Sequence, residues 1–279
     1  MTDHLPVNFL YLGGDKCGST WIYRILSQHP DVCLSTSKEL FYFDRFYDKG
    51  ADWYARQFKT SPQALRTGEV CHDYLYSERA LERIARDLPA DARFLVTVRN
   101  PVERTLSHYK YLLKIGRTQD PFDKAIHSQP QIVEHSMFGK HIARAASILG
   151  HDRVHVVPFE VLKSDPVQFG KAIAAALDIR FVPDLTYSET VLAAQSARAP
   201  KMVRLLRDTG WLLRRFGAQR LVGQLKSNQL VQRALFKNDT SRLTARSLAP
   251  GLSAQLTNVF AADQDHLHAL LAYLPRARI

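Results

Sequence analysis

The chain has 279 residues, of which 46% are hydrophobic, and its mean hydropathy is −0.23. These values are typical of a globular protein that can form one large α/β domain, and no apolar run approaches the roughly 18 residues of a membrane-spanning helix. Lysine and arginine number 38 against 27 acidic residues, so the formal net charge is +11. This charge favours an anionic ligand without identifying it.

The cysteines and the N-terminus bear on the compartment. Cys17, Cys33 and Cys71 show no CxxC spacing, which favours a reducing compartment and argues against a structural zinc site. Asp3 and His4 stand where a secretion signal would carry positive charge. We therefore expect no secretion signal and a cytoplasmic protein.

Strand and helix patterns alternate along the chain. The predicted strands are 9–12, 66–70, 94–98 and 154–157, and the predicted helices are 19–28, 77–87, 101–115 and 166–177, with a less regular helical stretch at 121–150. Strands spaced by helices form a parallel sheet with right-handed crossovers, and such sheets bind ligands at the carboxyl ends of their strands. Beyond residue 198 the pattern predicts helices, with breaks near Gly217 and around 238–251.

The first predicted strand runs into a glycine-containing loop, and a helix begins directly after it. Such a loop is an anion cradle, because unpaired N–H groups and the positive end of the helix dipole point at the bound group. Gly13 and Gly18 keep the GxxxxG spacing of a nucleoside-triphosphate loop, but Ser19 follows instead of lysine. The lysine lies inside the loop, at Lys16, which favours a phosphate-bearing donor other than that of an ordinary ATPase.

A second cluster follows the strand at 94–98. Arg99 ends that strand, and Ser107 lies about two turns into the next helix. A guanidinium at a strand end can bind a phosphate with two N–H groups, and a serine hydroxyl adds another donor. Taken alone, the pair fits a surface arginine and a helix-embedded serine, but its combination with the Lys16 loop favours a phosphate site.

The stretch from Arg198 to Arg246 is strongly basic. It holds twelve lysines and arginines against Asp208 and Asp239, with apolar residues at helical spacing. This pattern predicts an amphipathic helical segment. Its basic face is either solvated or a surface for an acidic acceptor, lipid headgroups or nucleic acid.

The two clusters together resemble a known family. Lys16-Cys-Gly-Ser-Thr-Trp21 resembles the 5′-phosphosulfate loop of sulfotransferases that use 3′-phosphoadenosine 5′-phosphosulfate (PAPS), and Arg99-Asn-Pro-Val-Glu-Arg-Thr-Leu-Ser107 resembles their 3′-phosphate motif. Segments 37–54, 68–75 and 158–166 are similar to heparan-type glycan and bacterial members. The resemblance covers residues 8–177 and, more weakly, 250–274.

This resemblance implies a P-loop-like three-layer α/β fold with a central parallel sheet of about five strands and a C-terminal helical segment. We expect one sulfotransferase domain over 1–279, with a donor-binding core at 8–177 and the basic segment 198–246 covering the active site or the surface. The resemblance also implies a metal-independent transfer of a sulfuryl group from PAPS to an acceptor, which leaves 3′-phosphoadenosine 5′-phosphate (PAP) as the product.

The resemblance also assigns the donor contacts. Lys16 would contact the 5′-phosphosulfate and its bridging oxygen, and Arg99 and Ser107 would hold the 3′-phosphate. Further predicted donor contacts lie in the loop and at the start of the helix after it: Cys17, Gly18, Ser19, Thr20 and Trp21, of which Trp21 would lie against the adenine. Arg242 and Arg246, in a basic loop near the C-terminus, would also contact the 3′-phosphate.

Sulfuryl transfer needs a base, because the acceptor loses a proton as it attacks. Glu39 matches the base of the glycan enzymes, although Lys38 and Glu39 also fit a surface pair. His72 is the alternative, since cytosolic sulfotransferases use a histidine. Phe41 stands where the glycan family has a histidine, so the hydrogen bonding near the acceptor must differ.

We expect the acceptor to be a hydroxyl of a carbohydrate, glycolipid or secondary metabolite. We expect no nucleic-acid partner, and a peripheral membrane contact only through 198–246; no pattern indicates an oligomeric state. A kinase would need a lysine beside Ser19 and an acidic metal ligand in place of Arg99. A non-enzymatic basic module that binds membrane or nucleic acid would leave the two motif clusters unexplained.

Overall fold

The computed structural model describes residues 5–59, 61–188 and 250–275, with short pieces at 195–197, 209–210, 215, 236–238 and 248. The chain divides into two compact units. The first comprises Met1–Asn100, Met137–Glu189 and Ala261–Ile279, and the second comprises Pro101–Ser136 and Thr190–Phe260. The single domain over 1–279 stays a prediction.

The described elements alternate in the predicted manner. The strands are β1 (Phe9–Gly13), β2 (Val32–Leu34), β3 (Arg66–Val70), β4 (Arg93–Val98), β5 (Val154–Pro158), β6 (Gln195–Ala197) and β7 (Phe236–Asn238). The helices are α1 (Ser19–Leu26), α2 (Tyr42–Arg45), α3 (Ala51–Ala55), α4 (Glu78–Asp87), α5 (Pro101–Lys114), α6 (Phe122–Ser128), α7 (Gln131–Glu134), α8 (Phe138–Leu149), α9 (Glu160–Ser164), α10 (Pro166–Leu177) and α11 (Pro250–Leu270).

The first unit is built on a five-stranded sheet with the order β2-β3-β1-β4-β5. All four strand pairings are parallel. Every residue of β1 is buried, as is typical of a strand covered on both faces. The predicted α/β class and the expectation of about five strands are confirmed.

Within the five-stranded sheet, the strand that periodicity missed is β2. It has three residues, Val-Cys-Leu, which is too short for an alternating pattern to emerge. It pairs with β3 from Val32 against Arg66 to Leu34 against Gly68. This pairing places the segment after β2 beside the segment after β3.

Capping residues define several helix starts. The Ser77 side chain accepts a hydrogen bond from the Ala80 N–H at α4, and Asp165 does the same for Gln168 at α10. The stretch 121–150 forms three helices rather than one. Pro130 lies between α6 and α7, where its ring disfavours helical geometry for the preceding residue.

In the second unit, Arg104 ties α5 to the α7 region. It is wholly buried, and Nη1 donates to the Ile132 carbonyl at 2.9 Å and to Ser136 Oγ at 3.2 Å. Nη2 contacts His108 Nδ1. A buried guanidinium needs such partners, because desolvating an unpaired charge is unfavourable.

The chain beyond residue 198 is not helical throughout. Strand β7 pairs with β6 in antiparallel orientation, so the prediction of helices with breaks near Gly217 and around 238–251 is wrong at Phe236–Asn238, where a strand lies at the edge of the second break. Most of 198–246, including Arg242 and Arg246, lies outside the described residues. Among the residues that are described, no helix has the length and apolar character needed to cross a bilayer.

Candidate active site

The predicted site residues of the first unit lie at the carboxyl ends of its parallel strands. Lys16 follows β1, Glu39 follows β2, His72 follows β3 and Arg99 follows β4. Because parallel strands end at one edge of the sheet, four segments from distant parts of the sequence converge there. The strand order puts β1 and its loop in the centre of this edge.

The loop after β1 delivers the N-terminus of α1 to the site. Gly18 is the N-cap residue of the helix, with φ +91° and no side chain that could cap the first turn. A Cβ on Gly18 would lie 3.0 Å from the Phe159 ring, so both its backbone conformation and the space favour glycine. The N–H groups of the first turn lack partners within the helix, and the helix dipole adds partial positive charge.

Two buried hydroxyls hold the loop. Tyr11 donates to the Gly14 carbonyl at 2.7 Å, and the Thr97 hydroxyl donates to the Cys17 carbonyl at 2.8 Å. The two hydroxyls also lie 2.6 Å apart. With these carbonyls bound to the protein, the loop can present N–H groups to an anion.

Arg99 lies against the same loop. Its Nη1 donates to the Lys16 carbonyl at 3.3 Å, and its guanidinium carbon lies 5.1 Å from the centre of the Phe159 ring. The side chain is half-buried. The structure therefore brings together the two motifs that the sequence placed 83 residues apart.

Lys38 is a candidate site residue to which no catalytic or binding role was assigned from the sequence. Its Nζ donates to Ser19 Oγ at 3.1 Å and to Thr20 Oγ1 at 3.2 Å, which are the hydroxyls at the start of α1. It also pairs with Glu39 Oε1 at 3.0 Å. One feature of the sequence indicated this role: Lys38 directly precedes Glu39 in the segment 37–54, which resembles glycan sulfotransferases.

Glu39 and His72, which we considered as alternative bases, are neighbours. His72 Nδ1 lies 3.2 Å from Glu39 Oε1, and His72 Nε2 lies 3.1 Å from Asp73 Oδ1. Burial acts to lower the pKa of His72, but Asp73 and Glu39 outweigh burial and the opposing Lys38, so the pKa is raised. The histidine is therefore held between two carboxylates.

Arg45 and Asp44 extend the cluster formed by Lys38, Glu39, His72 and Asp73 towards solvent. Arg45 pairs with Asp73 and with Asp44 at 2.9 Å, and its guanidinium lies 4.5 Å from the centre of the Phe41 ring. Burial raises the pKa of Asp44, although Arg45 opposes it. Phe41 thus packs under a cation at the position where the glycan family has a histidine.

The remaining predicted residues are placed as follows. Trp21 is only 5% exposed; it packs edge-on against Phe169, and its Nε1 donates to the Tyr187 carbonyl at 3.1 Å. These contacts are those of a core residue, and its role at the adenine stays a prediction. Cys17 is wholly buried. Ser107 lies half-buried in α5 of the second unit.

The chain is similar to known sulfotransferases over parts of its length. A sequence profile described as "Sulfotransferase family" matches residues 75–184. The chain is 30% identical over 136 residues to the membrane-associated sulfotransferase kil1 of Dictyostelium discoideum, covering 46% of this chain and 29% of that protein. It is 26% identical over 172 residues to heparan sulfate glucosamine 3-O-sulfotransferase 5 of Homo sapiens, covering 57% and 49%. Both matches span less than half of the relative's length.

The fold is shared with a solved structure. The sulfotransferase from Alicyclobacillus acidocaldarius aligns with a TM-score of 0.58 and 24% sequence identity, covering 81% of this chain and 98% of that one. A likeness at this level of identity concerns the architecture of the sheet and its helices, which is the P-loop-like architecture that the motifs predicted.

Proposed function

We propose that this chain, which is similar to the sulfotransferase family over residues 75–184, transfers a sulfuryl group from PAPS to an acceptor hydroxyl. The observation that carries the proposal is that Lys38 joins the N-terminus of α1 to the Glu39–His72 pair, while Arg99 lies against the loop that precedes α1. An anionic donor and a proton-accepting group can therefore be held at one sheet edge.

The residues present fit the donor. The loop and the first turn of α1 offer N–H groups, and Lys16 supplies an ammonium where charge develops on the leaving 5′-phosphate oxygen. Arg99 is proposed to bind the 3′-phosphate, and ATP or ADP, which have no 3′-phosphate, would not offer this contact. The roles of Trp21, Ser107, Arg242 and Arg246 are proposed from the family resemblance alone.

Glu39 is proposed as the base. When bound, PAPS supplies a sulfuryl group activated by its link to phosphate. The acceptor oxygen forms a bond to sulfur while the bond from sulfur to the phosphate oxygen breaks, and Glu39 takes the acceptor proton. His72 contacts Glu39 Oε1 and is proposed to orient this carboxylate.

The finer assignments are also proposals. We propose a metal-independent reaction, because lysine and arginine side chains can supply the positive charge that Mg²⁺ supplies in kinases. The proposed acceptor is a hydroxyl of a carbohydrate, glycolipid or secondary metabolite. A cytoplasmic location and a bacterial type of enzyme are proposed as well, and three buried cysteines without disulfides support a reducing compartment.

The decisive experiment compares ligands by calorimetry and by thermal shift. PAP should bind and raise the melting temperature, since a ligand that binds only the folded state stabilises it. ATP with Mg²⁺ and a polyanion such as heparin serve as controls for a kinase and for a basic binding module. Lys16→Ala should lose most of the sulfuryl transfer from PAPS to a panel of hydroxyl acceptors, detected by mass spectrometry. Stabilisation by ATP–Mg²⁺ but not by PAP would reject the proposal.

A further inference from the structure

Lys38 connects the anion cradle with the proposed base. Its ammonium has three N–H groups, and three acceptors lie within hydrogen-bond distance: Ser19 Oγ, Thr20 Oγ1 and Glu39 Oε1. The side chains of Lys38 and Glu39 are 19% and 16% exposed. Water therefore screens this pair less than it screens a surface pair.

An anion at the start of α1 would compete with Glu39 for this ammonium. The hydroxyls of Ser19 and Thr20 belong to the first turn of the helix, and they already lie 3.1 and 3.2 Å from Nζ. A phosphate bound by that turn would therefore approach Lys38 closely. The 5′-phosphosulfate of PAPS, taken as a whole, and the 5′-phosphate of PAP each carry about two negative charges, so either group attracts an ammonium more strongly than one carboxylate does, because the Coulomb energy scales with charge.

We propose that Lys38 is shared between the donor and the base, so that donor binding draws its ammonium from Glu39 to the 5′-phosphate. This role rests on the proposed function and deepens it. Without the donor, Lys38 holds the Glu39 carboxylate in an ion pair. With the donor in place, Glu39 keeps His72 as its neighbour and becomes available to accept the acceptor's proton.

The test is a double-substitution cycle read by calorimetric binding of PAP, which needs no acceptor. Lys38→Met keeps most of the side-chain length without its charge and should weaken PAP binding roughly tenfold or more. Lys38→Arg keeps the charge and should recover much of that loss. Lys49→Met is the matched control, because Lys49 lies over the Phe46 and Trp53 rings and the same change should leave PAP affinity unaltered.

Glu39→Gln completes the cycle. In a chain with Lys38, it should tighten PAP binding, because the ammonium no longer has to leave a carboxylate. In the Lys38→Met background the gain should be smaller by roughly threefold or more, since only charge repulsion is removed there. Melting temperatures without nucleotide verify that each variant is folded.

The outcomes separate the two ideas. If the unsubstituted chain does not bind PAP, the proposed function is wrong. If it binds PAP but Lys38→Met binds equally well, or the two substitutions act additively, the sharing of Lys38 is wrong and the proposed function stands. If Glu39→Gln tightens PAP binding more in the chain with Lys38 than in the Lys38→Met background, the result supports the sharing of Lys38 between donor and base.

Discussion

Two residues with proposed roles adopt an uncommon backbone conformation. Lys16 and Glu39 each have a φ of 64°, in a region that costs a non-glycine residue about 1–3 kcal/mol. Local contacts hold both: Arg99 donates to the Lys16 carbonyl, and the Glu39 N–H donates to the Val70 carbonyl at 3.1 Å. Strain of this kind concentrates at functional sites, which supports the candidate site independently of motifs.

Substitution of the base should separate chemistry from donor binding. Glu39→Gln keeps the size of the side chain but removes the proton acceptor, so we expect kcat to fall at least roughly 100-fold. PAP affinity should not decrease. Steady-state kinetics with PAPS and calorimetry with PAP measure the two effects. If Glu39→Gln keeps full activity while His72→Ala loses it, the histidine is the base instead.

The contacts of His72 predict a pH dependence of stability. The pKa of His72 is raised above its ordinary 6.5 in the folded chain, so the fold favours the protonated ring beside Glu39 and Asp73. This contribution is fully present below pH 6.5 and is lost as the pH rises through the folded-state pKa. Lys38 is the opposing cation in the same group.

The measurement compares melting temperatures of the unsubstituted chain and of His72→Gln between pH 5.5 and 9. Glutamine keeps polar contacts but cannot become charged. The difference between the two proteins should be largest near pH 6 and should shrink as the pH rises. A difference that grows with pH would mean that the folded state prefers the neutral ring.

At the scale of elements, the β1–α1 loop depends on the strands beside it. Tyr11 comes from β1 and Thr97 from β4, and together they engage the carbonyls of Gly14 and Cys17. A helix N-terminus can bind an anion only if the preceding loop keeps its direction. The shape of the cradle is therefore set by side chains under the loop as well as by its glycines.

Tyr11→Phe tests this dependence. Loss of the hydroxyl leaves the Gly14 carbonyl without this donor, so we expect a loss of about 1–2 kcal/mol in the free energy of unfolding and a roughly three- to tenfold weaker PAP affinity. Tyr187→Phe is the control, because its hydroxyl donates to the Val182 carbonyl at 2.7 Å. The control should lose stability but not PAP affinity, as denaturation and calorimetry would show; equal PAP affinity in both variants would contradict the prediction.

Strand β2 shows how a short element can decide a site. Its three residues carry no recognisable pattern, but its pairing with β3 aligns the segment that holds Lys38 and Glu39 with the one that holds His72. Without this pairing the carboxylate and the imidazole would belong to unrelated loops. The two candidate bases thus become one group through the sheet.

At the scale of the whole molecule, the net charge of +11 attracts anions of any kind, and we propose that the candidate site adds the selectivity for the donor. Its described cations include Lys16, Lys38 and Arg99, and carboxylates lie among them. A uniformly basic surface would bind polyanions without distinguishing them. The basic stretch 198–246 lies mostly outside the described residues, and its proposed contact with acceptor or membrane stays a prediction.

Local sequence patterns were sufficient to predict most of the elements and the outline of the cradle. Apolar runs, helical periodicity and the proline at the start of α5 act within a few residues, so the strands β1, β3, β4 and β5 were placed nearly at their observed bounds. The glycine loop and Arg99 were predicted for the same reason, because each directly follows a recognisable strand.

Only the tertiary structure decided which side chains meet. Lys38 contacts Ser19 and Thr20, and Glu39 contacts His72. These residues lie in segments that are far apart in the sequence, and the sequence does not show that the segments are close in space. The contacts arise from the order β2-β3-β1-β4-β5, which brings the loops after the first three strands together at one edge. Strand order results from packing over the whole sheet, and no local pattern encodes it.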